Sequence, residues 1–394
     1  MGSPLAGTLY QWTNSNPAIG LGTSGVGTIA AFNAANNFNT TITSLVTVTP
    51  FSNTCFGISK QFSITVRPTP TINSVPDRVF CTQAISSPIS LAGSTIPGSI
   101  YQWSHDNAAI GLSIMNGVGT IPSFTTNNLS NTRITSRFLV TPFTNGCSGE
   151  PTVFSITVDP IPRLDQVQDL VVCGIRTTDP INFTGSPIAG TVFNWTNNNA
   201  SIGLSSTGVG NIVPFTASNN STVPIEAQIT IIPFSNTCTG SPVSFKITVK
   251  PTPVADPIPG QVLCANNPTD PVIFSGSAIP GTQYNWSNNF SAIGLAPSGT
   301  GNIASFNATS SYNIPVSSNI VVTPFTNGCH GDPISFQIRV NPIPNVNTLT
   351  SQIVCANQRV GTIVFSGSIM EGTVYEWTND NIAVGLGTTG IGTI

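Results

Sequence analysis

Apolar and polar residues alternate along this chain in short runs, which are separated by turns rich in glycine and proline. In one representative stretch the runs cover residues 171–173, 181–184, 191–196, 211–215, 227–232 and 243–249. Alternation with a period of two places successive side chains on opposite faces of a β-strand. No helical periodicity persists beyond one turn. We therefore predict an all-β fold of short strands joined by turns.

This pattern recurs with a nearly constant period along the whole sequence. The tryptophans are spaced by 91, 92, 91 and 91 residues, at Trp12, Trp103, Trp195, Trp286 and Trp377. The extra residue of the 92-residue copy falls between Leu112 and Gly117, where a loop would absorb it. Each repeat is long enough to close its own core, so we predict an array of domains. The predicted boundaries are 1–70 (partial), 71–162, 163–253, 254–344 and 345–394 (partial).

Each repeat has the features of an immunoglobulin-like β-sandwich. About seven strands fit in 91 residues, a tryptophan lies in the third, and a cysteine pair brackets the domain. An aromatic residue precedes each tryptophan by two positions and shares its face of the strand. We therefore place the five tryptophans in the cores, with a sugar-stacking platform as the alternative.

Proline-rich segments join the repeats, at Pro68–Pro70, Pro160–Pro162, Pro251–Pro253 and Pro342–Pro344. Two prolines in three residues favour an extended, stiff connection. We predict that the array forms a semi-rigid extended rod.

The eight cysteines follow the same period and allow two pairing schemes. Pairing within a repeat gives Cys81–Cys147, Cys173–Cys238 and Cys264–Cys329, and leaves Cys55 and Cys355 to partners outside these residues. Pairing across the junctions joins cysteines 26 residues apart: Cys55–Cys81, Cys147–Cys173, Cys238–Cys264 and Cys329–Cys355. We favour pairing within a repeat, because the last strand should carry the chain about 25 Å away from Cys147 and a disulfide needs Cα atoms within about 7 Å. Either scheme indicates a compartment outside the cytoplasm.

Few residues of the sequence suggest catalysis or metal binding. His105 and His330 have no histidine counterpart in the other repeats, and no nucleophile motif accompanies them. We predict that both are exposed loop residues. The linkers do not supply the carboxylates of a calcium site, and the cysteines lack the CxxC spacing of a metal site. We expect no enzyme activity, no catalytic, cofactor-binding or metal site, and no small-molecule substrate.

Composition narrows the class of partner. Charged residues make up 6% of the chain and the net charge is −3, against a usual charged share of about 25%. Eleven scattered basic residues do not form the basic stripe of a nucleic-acid binder or the cluster that binds anionic membranes. No apolar run approaches the roughly 20 residues of a membrane span. Met1 does not begin a signal-peptide pattern, so we expect that the natural N-terminus lies upstream.

The recurring string VC…FSG…GT-x-Y-x-W-T-N…IGL…G-x-G-[NT]-I…VTPF-[ST]-N-x-C-x-G…F-x-ITV-x-P-x-P resembles the PKD-like repeats of Bacteroidota. It departs from the usual PKD signature W-D-F-G-D-G, since Thr-Asn-Asn follows Trp195. The resemblance implies a large surface adhesin of the SprB type, exported by the type IX secretion system and attached to the outer membrane. It carries over no ligand or catalytic residue.

Three functions follow as hypotheses. The first is a structural stalk that extends an adhesive tip, in surface attachment or gliding. The second is an array that binds surface glycans weakly through many copies. The third is lateral self-assembly with neighbouring copies into a filament or sheath, favoured by the low charge.

Overall fold

The tryptophan of every repeat lies on an extended strand whose side chains alternate between core and solvent. In the computed structural model, which describes residues 6–394, Trp103 and His105 point inward while Gln102 and Ser104 are exposed. The tryptophan strands are Leu9–Asn14, Ile100–His105, Val192–Asn197, Gln283–Asn288 and Glu376–Thr378. Residues 1–5 of the predicted partial repeat 1–70 lie outside the described residues.

One sheet of the second repeat illustrates the arrangement. Its strands are a first strand Arg78–Cys81, the tryptophan strand, an edge strand Asn116–Val118, a long strand Ile134–Thr144, a return strand Cys147–Ser148 and a last strand Thr152–Asp159. Their order is first, last, long, tryptophan and edge, and the return strand pairs with the end of the long strand. Every pairing is antiparallel except that of the first and last strands.

The other repeats contain the corresponding strands. First strands are Leu170–Cys173 and Gln261–Cys264; edge strands are Ser24–Val26, Thr207–Val209, Ser298–Thr300 and Thr389–Ile391. Long strands are Ile42–Ser52, Ile225–Ser235 and Val316–Thr326; return strands are Cys55–Phe56, Cys238–Thr239 and Cys329–His330. Last strands are Lys60–Val66, Val243–Lys250 and Ile334–Asn341.

A second, less regular layer closes the sandwich. In the second repeat it consists of the paired strands Ile85–Ser86 and Phe124–Thr125 and the bridge between Ile89 and Ile121. The helical turns in the described residues are single 3-10 turns: Pro17–Ile19, Ala108–Ile110, Ala200–Ile202, Ser291–Ile293 and Ile382–Val384. The predicted all-β, immunoglobulin-like sandwich is confirmed.

The core of the second repeat lies between these layers, around Trp103, Phe138 and Phe154. Trp103 packs against Gly117 on the edge strand, where a Cβ atom would lie 2.4 Å from the indole Cζ2. Glycine is therefore required for the indole to reach this position. The tryptophans at 12, 103, 195 and 286 are buried, and Trp377 is half-buried. The buried rings have no open face for stacking a sugar.

The parallel pairing of the first and last strands fixes where the first cysteine lies. Cys81 is in register with Asp159, the final residue of the last strand. Cys173 is likewise opposite Lys250, and Cys264 is opposite Asn341. The first cysteine of a repeat therefore lies beside the beginning of the proline linker.

The described chain divides into two compact units. The first contains the chain up to Gln166 with Asn182–Trp195 and Ile231–Val243, and the second contains Val167–Ile181, Thr196–Thr230 and Ser244–Ile394. Cys81 and Cys238 both belong to the first unit, and Cys173 and Cys329 both belong to the second. The repeat boundaries after residues 70, 162, 253 and 344 do not coincide with these units and stay a prediction.

Ile175 has an unfavourable backbone conformation, which yields a testable prediction. Its φ is +58°, whereas the corresponding residues in the flanking repeats are Gln83, Asn266 and Asn357. A β-branched residue is strained in the left-handed region, while asparagine tolerates it. We expect Ile175→Asn to raise the free energy of unfolding by about 1 kcal/mol in urea titrations. Ile273→Asn, at an exposed isoleucine without a positive φ, is the control, and an equal gain there would contradict the explanation.

Candidate functional site

The same set of contacts recurs at the junctions between repeats. Each set includes a tight hairpin of the following repeat. Two residues, Asn145 and Gly146, connect Thr144 to Cys147, and their φ angles are +46° and +86°. Asn-Gly with both φ angles positive is the preferred two-residue hairpin turn. The hairpin places the second cysteine of the repeat at its tip.

In the third and fourth repeats a disulfide joins the second cysteine, at the corresponding hairpin tip, to the preceding repeat. Cys238, in the third repeat, is bonded to Cys81, in the second, and their Cα atoms are 5.6 Å apart. Cys329, in the fourth repeat, is bonded to Cys173, in the third, with a Cα–Cα distance of 5.7 Å. Each disulfide therefore links the first cysteine of one repeat to the second cysteine of the next.

The predicted pairs Cys81–Cys147, Cys173–Cys238 and Cys264–Cys329 are wrong. Cys81 is opposite Asp159 at the end of the last strand, whereas Cys147 comes just before that strand begins at Thr152. Seven residues of extended strand separate these levels by about 23 Å, far beyond the reach of a disulfide. The alternative pairs 26 residues apart do not occur either, because the bond crosses the junction from the first cysteine and not from the second.

A glycine two residues after the second cysteine allows the linker to approach. A Cβ atom on Gly240 would lie 2.0 Å from the carbonyl oxygen of Pro162, and one on Gly331 would lie 1.9 Å from that of Pro253. Gly149 stands in the same relation to the Pro70 oxygen, at 1.8 Å. We call this arrangement of hairpin, glycine, linker and first-cysteine position a clasp. The C-x-G motif of the sequence is thus part of the clasp.

The linker prolines are buried within the clasps. Pro68, Pro70, Pro160, Pro162, Pro251 and Pro253 are all buried, whereas Pro342 is half-buried and Pro344 is exposed. Both prolines of these three linkers therefore pack against protein. The sequence predicted a stiff linker but not that the neighbouring hairpin covers it.

Cationic side chains add hydrogen bonds in two clasps. The Arg67 guanidinium donates to the carbonyl oxygen of Asn145, and Lys250 Nζ donates to that of Asn327 over 2.9 Å. Lys250 ends a last strand and Arg67 directly follows one. Both acceptors lie in the hairpin turn of the following repeat. Arg176 also donates to the His330 carbonyl oxygen, over 3.1 Å.

Asp159 occupies the same strand position in the second repeat but makes a different contact. Its carboxylate is fully buried and accepts two hydrogen bonds from Arg133, at 2.7 Å from Nε and 3.0 Å from Nη2. The hydrogen bond and the charge of Asp159 raise the pKa of Arg133. This clasp therefore holds its neighbour through the disulfide, with the Asp159 carbonyl oxygen 4.0 Å from the Cys238 sulfur.

Four cysteines are not bonded in this structure. Cys55, Cys264 and Cys355 are exposed, and Cys147 is half-buried. A partner about 157 residues away, as in the two bonded pairs, would fall before residue 1 for Cys55 and Cys147 and after residue 394 for Cys264 and Cys355. The prediction that Cys55 and Cys355 pair outside these residues stays a prediction.

The prediction that His105 is an exposed loop residue is wrong. His105 is buried and lies on the tryptophan strand. Its Nε2 lies 3.0 Å from the carbonyl oxygen of Ile114, and its Nδ1 lies 3.0 Å from Ser136 Oγ. Because a carbonyl can only accept, Nε2 carries a proton and donates it. Asn14, Asn197 and Asn288 hold the same position and donate to carbonyl oxygens seven residues further on. The loop after Leu112 is one residue longer in this repeat, and the carbonyl that the imidazole reaches lies nine residues after His105 instead of seven.

The buried hydrogen bonds of His105 predict how substitutions at this position change the free energy of unfolding. His105→Ala should lower the free energy of unfolding by about 1–2 kcal/mol, because it leaves buried polar groups without partners. His105→Asn should cost clearly less, since asparagine makes the corresponding bonds in the other repeats. Thermal or urea unfolding measures both. His330→Ala is the control, because that side chain is exposed; equal losses for His105→Ala and His330→Ala would contradict the buried network.

Within residues 6–394, no group of three or more His, Cys, Asp and Glu side chains lies close enough to hold a metal ion. No helix in that part of the chain is long and apolar enough to cross a membrane.

No family model and no curated protein matches the sequence. The three-immunoglobulin-domain structure of titin I67–I69 is similar, with 11% identity and a TM-score of 0.38 over 70% of this chain and 98% of the titin chain. The human desmocollin-1 ectodomain is 12% identical, with a TM-score of 0.29 over 99% and 88%. Sidekick-1 immunoglobulin domains 1–4 are 11% identical, with a TM-score of 0.26 over 86% and 91%.

Proposed function

We propose that this chain is the structural repeat region of a large secreted adhesin, a stalk that presents an adhesive tip away from the cell surface. The clasp carries this proposal. Its parts serve to hold one repeat against the next: a disulfide between consecutive repeats, buried linker prolines and a glycine that admits the linker backbone. Fixing successive domains in series is the requirement of a stalk.

The disulfides also support an extracellular location. Such bonds persist in oxidising compartments and are rare in the cytoplasm. Together with the resemblance to PKD-like repeats, they support a surface protein of the type IX secretion and gliding-motility class, attached at the outer membrane. In this role the chain is not an enzyme and contacts neither nucleic acid nor a small-molecule substrate.

A second candidate is a multivalent glycan-binding array. Exposed hydroxyl pairs recur in successive repeats, Thr43 with Thr65 at 3.1 Å and Thr135 with Thr157 at 3.0 Å. Weak binding at each copy would add up along the array. Probing a glycan array with the chain clustered on beads tests this candidate, and an absence of binding would exclude it for the glycans presented.

Electron microscopy of the oxidised protein over a range of concentrations tests the stalk. Isolated beaded rods of roughly 150 Å, estimated from strand lengths, are expected at all concentrations. Ordered filaments or bundles at higher concentration would contradict a monomeric stalk and favour self-assembly into a filament or sheath. The quadruple variant with serine at Cys81, Cys173, Cys238 and Cys329 is the control, and its images should show less regular spacing of the beads.

A further inference from the structure

The loops closed by the two disulfides overlap along the sequence. Cys81–Cys238 spans 157 residues and Cys173–Cys329 spans 156. Cys173 lies inside the first of these segments, and Cys238 lies inside the second. The two loops therefore share residues 173–238 and are interlaced, whereas the predicted pairing would have closed separate loops.

We propose that the interlaced disulfides limit the length that the chain can reach under tension, and that this limit rises only slightly when one disulfide is lost. The inference rests on the proposed stalk function for its biological meaning. Its physical content depends only on the connectivity of the disulfides.

The limit follows from the shortest covalent path between the two ends. That path runs from the N-terminus to Cys81, crosses to Cys238, returns along the chain to Cys173, crosses to Cys329 and continues to the C-terminus. At about 3.5 Å per extended residue, it measures about 730 Å, whereas the fully reduced chain measures about 1,380 Å. Residues 82–172 and 239–328 lie off this path, so tension on the ends cannot stretch them out in line.

Interlacing gives redundancy that separate loops lack. With either disulfide alone the shortest path is about 830 Å, because the remaining loop then also bypasses the segment 173–238, which the path through both disulfides has to traverse. Loss of one bond thus lengthens the limit by only about 100 Å, and loss of the second adds about 550 Å. Two separate loops of this size would each release an equal length when opened.

The reductive step is a thiol–disulfide exchange. A dithiol such as dithiothreitol attacks one sulfur, forms a mixed disulfide and then closes to its own cyclic disulfide. Each protein disulfide takes up two electrons and two protons and becomes two thiols. The maximum length of a stalk exposed to such a reductant would therefore increase in two unequal steps.

Single-molecule force spectroscopy with a handle at each end of the full chain tests the inference. The unbonded cysteines at 55, 147, 264 and 355 are first replaced by serine, so that they cannot exchange with the disulfides. Four proteins are then stretched: this parent, the parent with C81S and C238S, the parent with C173S and C329S, and the parent with all four changes.

The expected contour lengths are about 730 Å for the parent, about 830 Å for each two-serine variant and about 1,380 Å for the four-serine variant. Dithiothreitol should bring the first three to the fourth value. If only the pair 173–238 forms within a repeat, the parent would measure about 1,150 Å and the inference would be overturned. Equal lengths for the parent and the four-serine variant would also overturn it. Neither result bears on the stalk, which fails separately if microscopy shows filaments.

Discussion

Replacing both Cys173 and Cys329 by serine is expected to lower the free energy of unfolding by about 5 kcal/mol. The disulfide between them spans 156 residues, and in the chain-entropy model the stabilisation grows with the logarithm of the loop length. A loop of about 65 residues, as expected from pairing within a repeat, would contribute roughly 4 kcal/mol. Urea unfolding followed by tryptophan fluorescence is a suitable measurement, because Trp195 and Trp286 both lie inside the loop.

Two controls separate the disulfide from the change of side chain. The variant with serine at Cys264 and Cys355 removes exposed, unbonded thiols and should unfold within about 0.5 kcal/mol of the unchanged protein. The unchanged protein in reductant should unfold no later than the Cys173/Cys329 variant. Removing Cys81–Cys238 as well should cost at least as much as the first removal did, because residues 173–238, which both loops share, are then no longer constrained by either disulfide. If the Cys173/Cys329 variant unfolds like the unchanged protein, the bond does not stabilise the fold.

Most of the fold could be predicted because its signals are local. The run 191–196 alternates with period two, and the structure has the strand Val192–Asn197 there. The run 243–249 likewise becomes Val243–Lys250. The runs 181–184 and 211–215 form only isolated bridges, at Ile181 with Ile212. Their short apolar stretches lie in the second layer, where pairing is irregular and alternation alone does not decide between strand and coil.

The disulfides could not be predicted, because their pairing depends on a non-local strand contact. As predicted, the last strand carries the chain away from Cys147. The prediction did not include the parallel pairing that puts Cys81 at the far end of that same strand. Nothing in the residues 78–81 indicates whether their partner strand runs parallel or antiparallel. With that contact known, the same distance limit excludes pairing within a repeat.

His105 shows how a periodic signal can be misread. Comparison of the repeats correctly aligned it with Asn197, and the absence of other histidines suggested an unimportant surface residue. The buried position of that asparagine, two residues after the tryptophan on the same face, was the available signal. The extra residue in the following loop was a second one, since a longer side chain needs a more distant acceptor.

Gly240→Ala is expected to destabilise the clasp between the second and third repeats by about 2–3 kcal/mol. The added Cβ would lie 2.0 Å from the Pro162 carbonyl oxygen and 2.6 Å from Pro233 Cγ. Neither neighbour is a flexible chain end, so the hairpin and the linker must move apart. Because Cys238 lies two residues before the glycine, this movement should also pull it away from Cys81. We expect slow and incomplete formation of Cys81–Cys238 when the reduced protein is reoxidised, measured by mass spectrometry of the linked peptides.

The same molecule contains the matched control. Cys173–Cys329 should reoxidise normally in Gly240→Ala, and Gly331→Ala should reverse the pattern, because its Cβ would lie 1.9 Å from Pro253 O in the other clasp. Gly57→Ala changes the corresponding glycine of the first repeat, where the Cβ meets Pro50 at 3.0 Å and no linker, and should slow neither bond. If both glycine variants impair both disulfides equally, the effect is general misfolding. Only an exchange of the affected bond between the two variants would establish that each glycine admits the linker of its own junction.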